Sequence, residues 1–280
     1  MALTTDAARV AAAALAEDGE IDLTTDLTIP PGTKADAIIE FRSGGILAGS
    51  AYADAVAQAC GCTIHWRSAD GSYAEPGAVV ASVTGELKHI LRAERPLLNI
   101  LQRASGIATA THSFVEAVAG TGCRILHTRK TAPGLRQLDV AGVVAGGGET
   151  HRLDLAHEVM VKDNHWQALR RTGKSLEAAL AAARQRGIAA LYVEVESPEQ
   201  LQLACAAGAT RLLVDNQSPA TLRSWAETAR RQSGGIQIEA SGGITLTNAR
   251  AYAEAGADFI SVGALTHSVL AADIALEVRT

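Results

Sequence analysis

The chain has 280 residues, of which 48% are hydrophobic, 20% charged and 4% aromatic, with a formal net charge of −5. That content suffices for one large core, or a large core and a smaller domain. No run of eighteen apolar residues occurs, the alanine-rich stretch Val10 to Leu15 follows Asp6 without a basic flank, and no Lys/Arg tract is present, so a membrane span, a signal peptide and a nucleic-acid surface are not expected, and a cytoplasmic protein is. Cys60, Cys62, Cys123 and Cys205 form no CxxC pair or zinc-ligand spacing and read as small buried apolar residues.

From about Lys34 to Leu87 the sequence predicts short strands at Ala37 to Phe41, Thr63 to Trp66 and Ala78 to Val83, separated by Gly44-Gly45, Asp70-Gly71 and Pro76-Gly77 and interrupted by a helix over Ser50 to Ala59. This mixture reads as an α+β domain. A long helix is expected around Arg92 to Val118. Short apolar runs then alternate with Ala/Leu-rich amphipathic segments. The runs are Ile125-Leu126, a weaker Gly142-Val143-Val144, Glu158 to Val161, Leu191 to Val195, Arg211 to Val214, Ile236 to Ala240 and Phe259 to Val262. Ser197-Pro198-Glu199-Gln200 carries an N-cap serine, a first-turn proline and a capping-box glutamine, a start signal for a helix. Strand and helix repeated in this way predict a parallel sheet with right-handed crossovers, and seven strands favour an incomplete α/β barrel.

Barrel sites are built at the C-terminal ends of strands. Those ends here carry Thr128-Arg129-Lys130-Thr131, then Gly146-Gly147-Gly148 leading to His151-Arg152, then Lys162-Asp163-Asn164-His165, Glu194-Val195-Glu196, Asp215-Asn216, Ser241-Gly242-Gly243 and Gly263-Ala264. Arg129, Lys130, Arg152 and Lys162 on one mouth would repel one another unless a multiply charged anion binds there. Carboxylates beside such a ligand suit a divalent metal, sugar hydroxyls or a developing positive charge. The glycine-rich ends suit a phosphate approached by backbone N–H groups and a helix N-terminus. Each piece alone has an ordinary reading: a solvated Arg-Lys pair, a half-buried histidine at 151, a bare glycine turn at 242. His165 reads as structural, closing the Lys162 loop. Glu194 and Glu196 alternate on one strand, so only one can face the interior, and Glu194 is taken as that one.

Glu94 to Thr109 (ERPLLNILQRASGIAT), Thr128 to Gly134 (TRKTAPG), Gly146-Gly147-Gly148 with His151-Arg152, Lys162 to His165 (KDNH), Val193 to Glu196, Val214 to Asn216, Ser241 to Gly243 and Ser261 to Ser268 together resemble, in order, the quinolinate phosphoribosyltransferase family of NAD biosynthesis. The fold class this implies is α/β: an N-terminal α+β sandwich domain (1–105), an incomplete seven-stranded parallel α/β barrel (106–265) and a C-terminal tail (266–280) returning to the first domain. The resemblance also implies a homodimer, or a higher oligomer built on it, with shared active sites. Arg129, Lys130, His151, Arg152 and Lys162, with Arg95 from the partner, would hold the carboxylates of quinolinate. Glu194 and Asp215 would hold the ribose hydroxyls and the magnesium cofactor of phosphoribosyl diphosphate, and Ser241, Gly242, Gly243 and Gly263 its 5-phosphate. Lys130, Lys162, Glu194 and Asp215 are the residues expected to be catalytic, by positioning and fixed charge; no nucleophilic serine or cysteine is required.

The family usually has asparagine before the His-Arg pair and glycine two residues after it, where this chain has Thr150 and Asp154, and Glu149 adds further negative charge. Two other readings compete. The related protein of molybdate-transport operons shares the Thr-Arg-Lys-Thr segment, but its members tend to lack the Lys162 to His165 motif. A non-catalytic phosphate-ligand module on the same fold would not call for Glu194 and Asp215.

Overall fold

The structure, a computed structural model, describes residues 2–279. The elements in its first part are α1 (Ala2–Glu17), α2 (Leu23–Thr28), β1 (Lys34–Phe41), β2 (Gly45–Ile46), α3 (Ser50–Ala59), β3 (Thr63–Trp66), β4 (Tyr73–Ala74), β5 (Val79–Glu86) and α4 (Leu87–Ala117). They are followed by β6 (Arg124–Leu126), α5 (Arg136–Ala145), β7 (Val159–Val161), α6 (Asp163–Thr172), α7 (Leu176–Gln185), β8 (Leu191–Val195) and α8 (Pro198–Ala206). The chain ends with β9 (Arg211–Asp215), α9 (Pro219–Gln232), β10 (Gln237–Ser241), α10 (Leu246–Glu254), β11 (Phe259–Ser261), α11 (Ala264–His267) and β12 (Ile274–Arg279). The residues separate into two compact units, one of 1–112, 130–148 and 264–280, the other of 113–129 and 149–263.

In the first unit, four antiparallel strands take the order β12-β1-β5-β3, beside a two-stranded β2-β4 ribbon. The last strand pairs with the first, Phe41 against Ile274 and Asp36 against Arg279. Ile39, Phe41, Val80 and Val83 pack with Tyr52 and Val56 of α3 and Leu97 and Leu101 of α4 into one apolar core. The helix expected over 50–59 forms there, and Asp70, from the turn expected at 70–71, accepts the Gly49 and Ser50 backbone N–H groups at its start (3.1 and 3.2 Å). The long helix α4 begins five residues before the expected Arg92 and ends at Ala117.

Gly142-Val143-Val144, expected as a barrel strand, lies instead inside α5. The β-branched pair suggested a strand, but the decisive spacing is Gly142 to Gly146. A Cβ on Gly142 would meet the Ala104 carbonyl of α4 at 2.8 Å, and one on Gly146 would collide with the Ala108 carbonyl. Two glycines four apart on one helix face allow α5 to approach α4 backbone to backbone.

The second unit holds six parallel strands in the order β6-β11-β10-β9-β8-β7. The seventh stave is only a single bridge, Glu149 beside Leu126, in which the Glu149 N–H donates to the Ile125 carbonyl at 2.8 Å. The α/β architecture and its parallel sheet are as expected, whereas the seven-strand count becomes six strands and one bridge. β8 shows why one face reads as core: Leu191, Val193 and Val195 are at most 1% exposed, while Tyr192 and Glu194 form the opposite face. Helix α8 starts as read, with Ser197 Oγ accepting the Gln200 N–H. The Gln200 side chain accepts the N–H of Glu196 rather than that of the capping serine. Among the described residues no helix is long and apolar enough to cross a membrane, and all four cysteines are buried without disulfides. Burial pushes the Cys62 thiol up to about 11 and that of Cys123 up to about 12, which leaves them protonated at neutral pH and unsuited to nucleophilic work.

Candidate active site

Strand register sets the level of each candidate in the second unit. Glu194 pairs with Leu213, Asp215 with Ser241, and Ser261 with Leu126. The C-terminal ends of these parallel strands, with Thr128-Arg129 after β6 and Gly263 after β11, therefore share one end of the sheet.

Glu194 is 6% exposed. Its carboxylate accepts Lys162 Nζ at 2.6 Å and the Asp163 N–H at 3.2 Å, the latter at the positive N-terminal end of α6. The adjacent Trp166 indole donates to the Glu194 carbonyl at 2.8 Å, so the strand end is tied to the helix on both sides of the side chain. His165 Nδ1 accepts the Lys162 N–H at 3.1 Å, the loop-closing role expected of it. Glu196 is exposed, as the alternation requires. On the next strand Asp215 accepts the Asn216 side-chain amide at 2.6 Å. Asn216 holds a left-handed backbone (φ 52), which asparagine tolerates better than most residues. Glu194 and Asp215 thus stand at neighbouring strand ends, two carboxylates that match what magnesium takes alongside substrate phosphate oxygens. Among the described residues no cluster of three or more His, Cys, Asp or Glu forms a cage for the ion by itself.

Two further cations lie close together, Arg129 on the loop after β6 and Arg152 on the loop before β7. The Arg152 guanidinium is held below its ordinary pKa, first by burial and then by repulsion from Arg129, with Glu158 opposing both. With the Arg129 charge close enough to disfavour that of Arg152, the two guanidinium groups form a place where an anion is attracted. Glu149 and Asp154, whose charge opposed a dianion site on sequence grounds, are both occupied elsewhere. Glu149 reaches back to Arg124 (3.3 Å), and Asp154 closes its own turn onto the Ala156 N–H and His157 Nδ1 (2.8 and 2.9 Å). Thr150 is exposed.

The Ser241-Gly242-Gly243 loop runs into α10. Gly242 (φ 80) admits no side chain, because a Cβ would collide with the Asn216 side-chain oxygen; Gly243 also has positive φ (62). Thr245 caps α10, with Asn248 accepting the Thr245 N–H and donating to the Gly243 carbonyl (2.8 and 3.0 Å). A left-handed glycine loop opening onto a helix start exposes backbone N–H groups to an anion.

Lys130 and Arg95 belong to the first unit. Thr266 Oγ1 donates to the Lys130 carbonyl at 2.9 Å. The buried Asp139 accepts the Ala132 N–H at 3.0 Å and takes Arg103 in a two-pronged pair at 2.7 and 2.9 Å, and Arg103 also donates to the Thr266 carbonyl at 3.1 Å. Arg103, Asp139 and Thr266 therefore anchor the loop that presents Lys130. Arg95 lies on α4, its side chain 58% exposed and 3.6 Å from Glu94.

Sequence reasoning missed a charged cluster inside the second unit's barrel. Glu239 is 0% exposed and receives His151 Nε2 at 3.2 Å, Arg211 Nη1 at 3.1 Å and the Ser261 hydroxyl. Burial alone would raise its pKa, but its interactions with His151 first, then the Ser261 hydroxyl and the Arg211 charge, hold it below the ordinary range. The Arg211 guanidinium lies 4.5 Å from the Tyr192 ring centroid and 3.9 Å from that of Phe259, and also grips Gln237. Tyr192 meets the His151 ring edge to face at 5.7 Å. The available signal was period two: Gln237, Glu239 and Ser241 share one face of a strand whose other face, Ile236, Ile238 and Ala240, is apolar.

Family comparison agrees with this geometry. The model of the quinolinate phosphoribosyl transferase N-terminal domain matches residues 22–105, and that of its C-terminal domain matches 107–277. The chain is 38% identical over 261 residues to the nicotinate-nucleotide pyrophosphorylase [carboxylating] of Mycobacterium leprae, covering 92% of this chain and 91% of that protein. With the human protein of the same name it is 40% identical, covering 87% and 82%. It superposes on the nicotinate-nucleotide pyrophosphorylase structure from Francisella tularensis with a TM-score of 0.91 at 31% identity, covering 99% and 97% of the two chains. With both domain models matched in order along one chain and the paired acids and cations at the expected strand ends, the protein belongs to the quinolinate phosphoribosyl transferase family.

Proposed function

We propose that the protein transfers the phosphoribosyl group of phosphoribosyl diphosphate to quinolinate with loss of a carboxylate, giving nicotinate mononucleotide, pyrophosphate and carbon dioxide. The observation that carries this reading is the pairing of opposite needs at one strand mouth: Arg129 and Arg152 crowd their charges together, while Lys162 neutralises Glu194 at 2.6 Å beside Asp215. A dicarboxylate relieves the first group, and a sugar diphosphate engages the second.

In the reaction the bond from the anomeric carbon to the pyrophosphate oxygen breaks with its electrons on pyrophosphate, and the pyridine nitrogen forms the new bond to that carbon. The positively charged ring then accepts the electrons of the bond to the adjacent carboxylate, releasing carbon dioxide, and the ring carbon takes a proton from water. Glu194 and Asp215 would stabilise the cationic sugar and orient its hydroxyls, and the Ser241 to Gly243 loop, with Gly263, would bind the 5-phosphate. Arg129, Lys130, Arg152 and Lys162 would hold and orient quinolinate. Magnesium held by Glu194 and Asp215 would supply charge neutralisation for the departing pyrophosphate. The same reading makes the protein a cytoplasmic homodimer, or a larger assembly of such dimers, in which the exposed Arg95 completes the partner's site.

The test incubates purified protein with quinolinate, phosphoribosyl diphosphate and magnesium, and follows nicotinate mononucleotide and pyrophosphate by chromatography, with nicotinate as a parallel acceptor. Product from quinolinate alone is expected. Folded protein that uses neither acceptor would refute the reading, and equal use of nicotinate would mean that the second carboxylate goes unread.

A further inference from the structure

The buried cluster around Glu239 contributes no group to the chemistry above, yet it ends on a residue of the site. His151 links the two: Nε2 lies 3.2 Å from Glu239 Oε2, and Nδ1 lies 2.6 Å from the backbone nitrogen of Arg152. A backbone N–H can only donate, so Nδ1 must be the acceptor and cannot carry a proton. An imidazolium would set two donors against each other at 2.6 Å. Neutral imidazole with its proton on Nε2 satisfies both contacts, donating to Glu239 and accepting from Arg152. Glu239 also accepts Arg211 and the Ser261 hydroxyl, so its carboxylate has a counter-charge that does not depend on His151 being charged. Tyr192 packs against the ring at 5.7 Å in an edge-to-face arrangement, and the His151 side chain is 6% exposed, so the imidazole is shielded from solvent.

We propose that Glu239 is a positioning residue: it holds His151 as the neutral Nε2–H tautomer, and His151 in turn fixes the backbone at Arg152, aiming that guanidinium at the anion it shares with Arg129. Both ring nitrogens are then used within the protein, so the charge of the pyridine dicarboxylate is read by arginine and lysine, and His151 acts one layer behind them. This rests on the phosphoribosyl-transfer reading for its kinetic consequence, but not for its chemical one.

The first measurement is heteronuclear NMR of protein labelled with ¹⁵N-histidine, without substrate, the His151 signals being identified by their loss in His151→Asn. One protonated nitrogen at Nε2 and one bare nitrogen at Nδ1 are expected. An imidazolium, or a proton on Nδ1, would overturn the proposal whatever the protein's activity. The second measurement is steady-state kinetics of Glu239→Leu, which removes both acceptor oxygens, beside Glu239→Gln, whose amide oxygen still accepts from Nε2–H. KM for quinolinate should rise about 10-fold in Glu239→Leu, the scale on which losing a partner that orients a metal ligand acts, and much less in Glu239→Gln, while KM for phosphoribosyl diphosphate stays within about twofold. Both constants rising together, or no change in either variant, counts against positioning. If Glu239→Leu does not fold, the tautomer of the unaltered protein still decides. Protein that shows the Nε2–H tautomer but turns over neither pyridine would refute the phosphoribosyl-transfer reading and leave the placement of His151 supported.

Discussion

Lys162 and Gly242 illustrate how much depends on single side chains at the strand ends. Lys162 joins an acid on the neighbouring strand to its own helix start, so removing it deprives the anion of a cation and leaves the 6%-exposed Glu194 without its counter-charge. Lys162→Ala and Arg129→Ala should each raise the apparent KM for quinolinate and lower turnover with circular dichroism unchanged; normal kinetics in both would remove the assigned pocket. Gly242→Ala acts differently. The left-handed backbone costs a non-glycine residue about 1–2 kcal/mol, and the Asn216 side chain must move as well. A lower urea midpoint together with a raised KM for phosphoribosyl diphosphate is expected, and a normal KM would argue that the loop does not hold the phosphate. Most of these residues were legible in the sequence because they are polar where a parallel strand ends. Glu239 and Arg211 were not, because they are polar where a strand runs through the interior and their partners come from separate strands and a loop.

Among the elements, α5 carries the clearest lesson about local patterns. Val143-Val144 has strand propensity, but propensity is a weak prior against packing, and the glycines at 142 and 146 fit a helix pressed onto α4. That helix also carries Asp139, which ties Arg103 of α4 to the loop beginning at Lys130. Breaking a buried ion pair by removing one partner typically costs about 3–5 kcal/mol, and Asp139→Ala additionally leaves the Ala132 N–H without its acceptor. The variant should melt lower and be cut faster by trypsin after Arg129 or Lys130, read by mass spectrometry of early fragments. Unchanged cleavage would show that the loop holds itself in place.

For the whole molecule, the prediction concerns assembly. If Arg95 serves the partner's site, dimers made only of Arg95→Ala subunits or only of Lys162→Ala subunits are each impaired at both sites, but a mixed dimer holds one site with both residues intact. Co-expressed with two different affinity tags and purified through both, the mixed dimer should recover up to about half of the unaltered activity by site counting. Verified mixed dimers with no recovery would mean that each chain completes its own site.

Chain order and residue type by themselves determined the α/β class, the helix over 50–59, the start of α8, all six parallel strands after α4 from Ile125-Leu126 onward, and the acids, cations and glycines at their ends. These follow from periodicity, capping and turn chemistry, all of which act within a few residues. Only the tertiary structure decided that Gly142 to Val144 is helical, that the seventh stave shrinks to a bridge at Glu149, that Glu149 and Asp154 spend their charge on Arg124 and His157, and that His151 rests on Glu239. Each of these is settled by a partner distant in sequence or by the direction of a side chain in a loop, and the free energy of a buried charge depends on which partner reaches it.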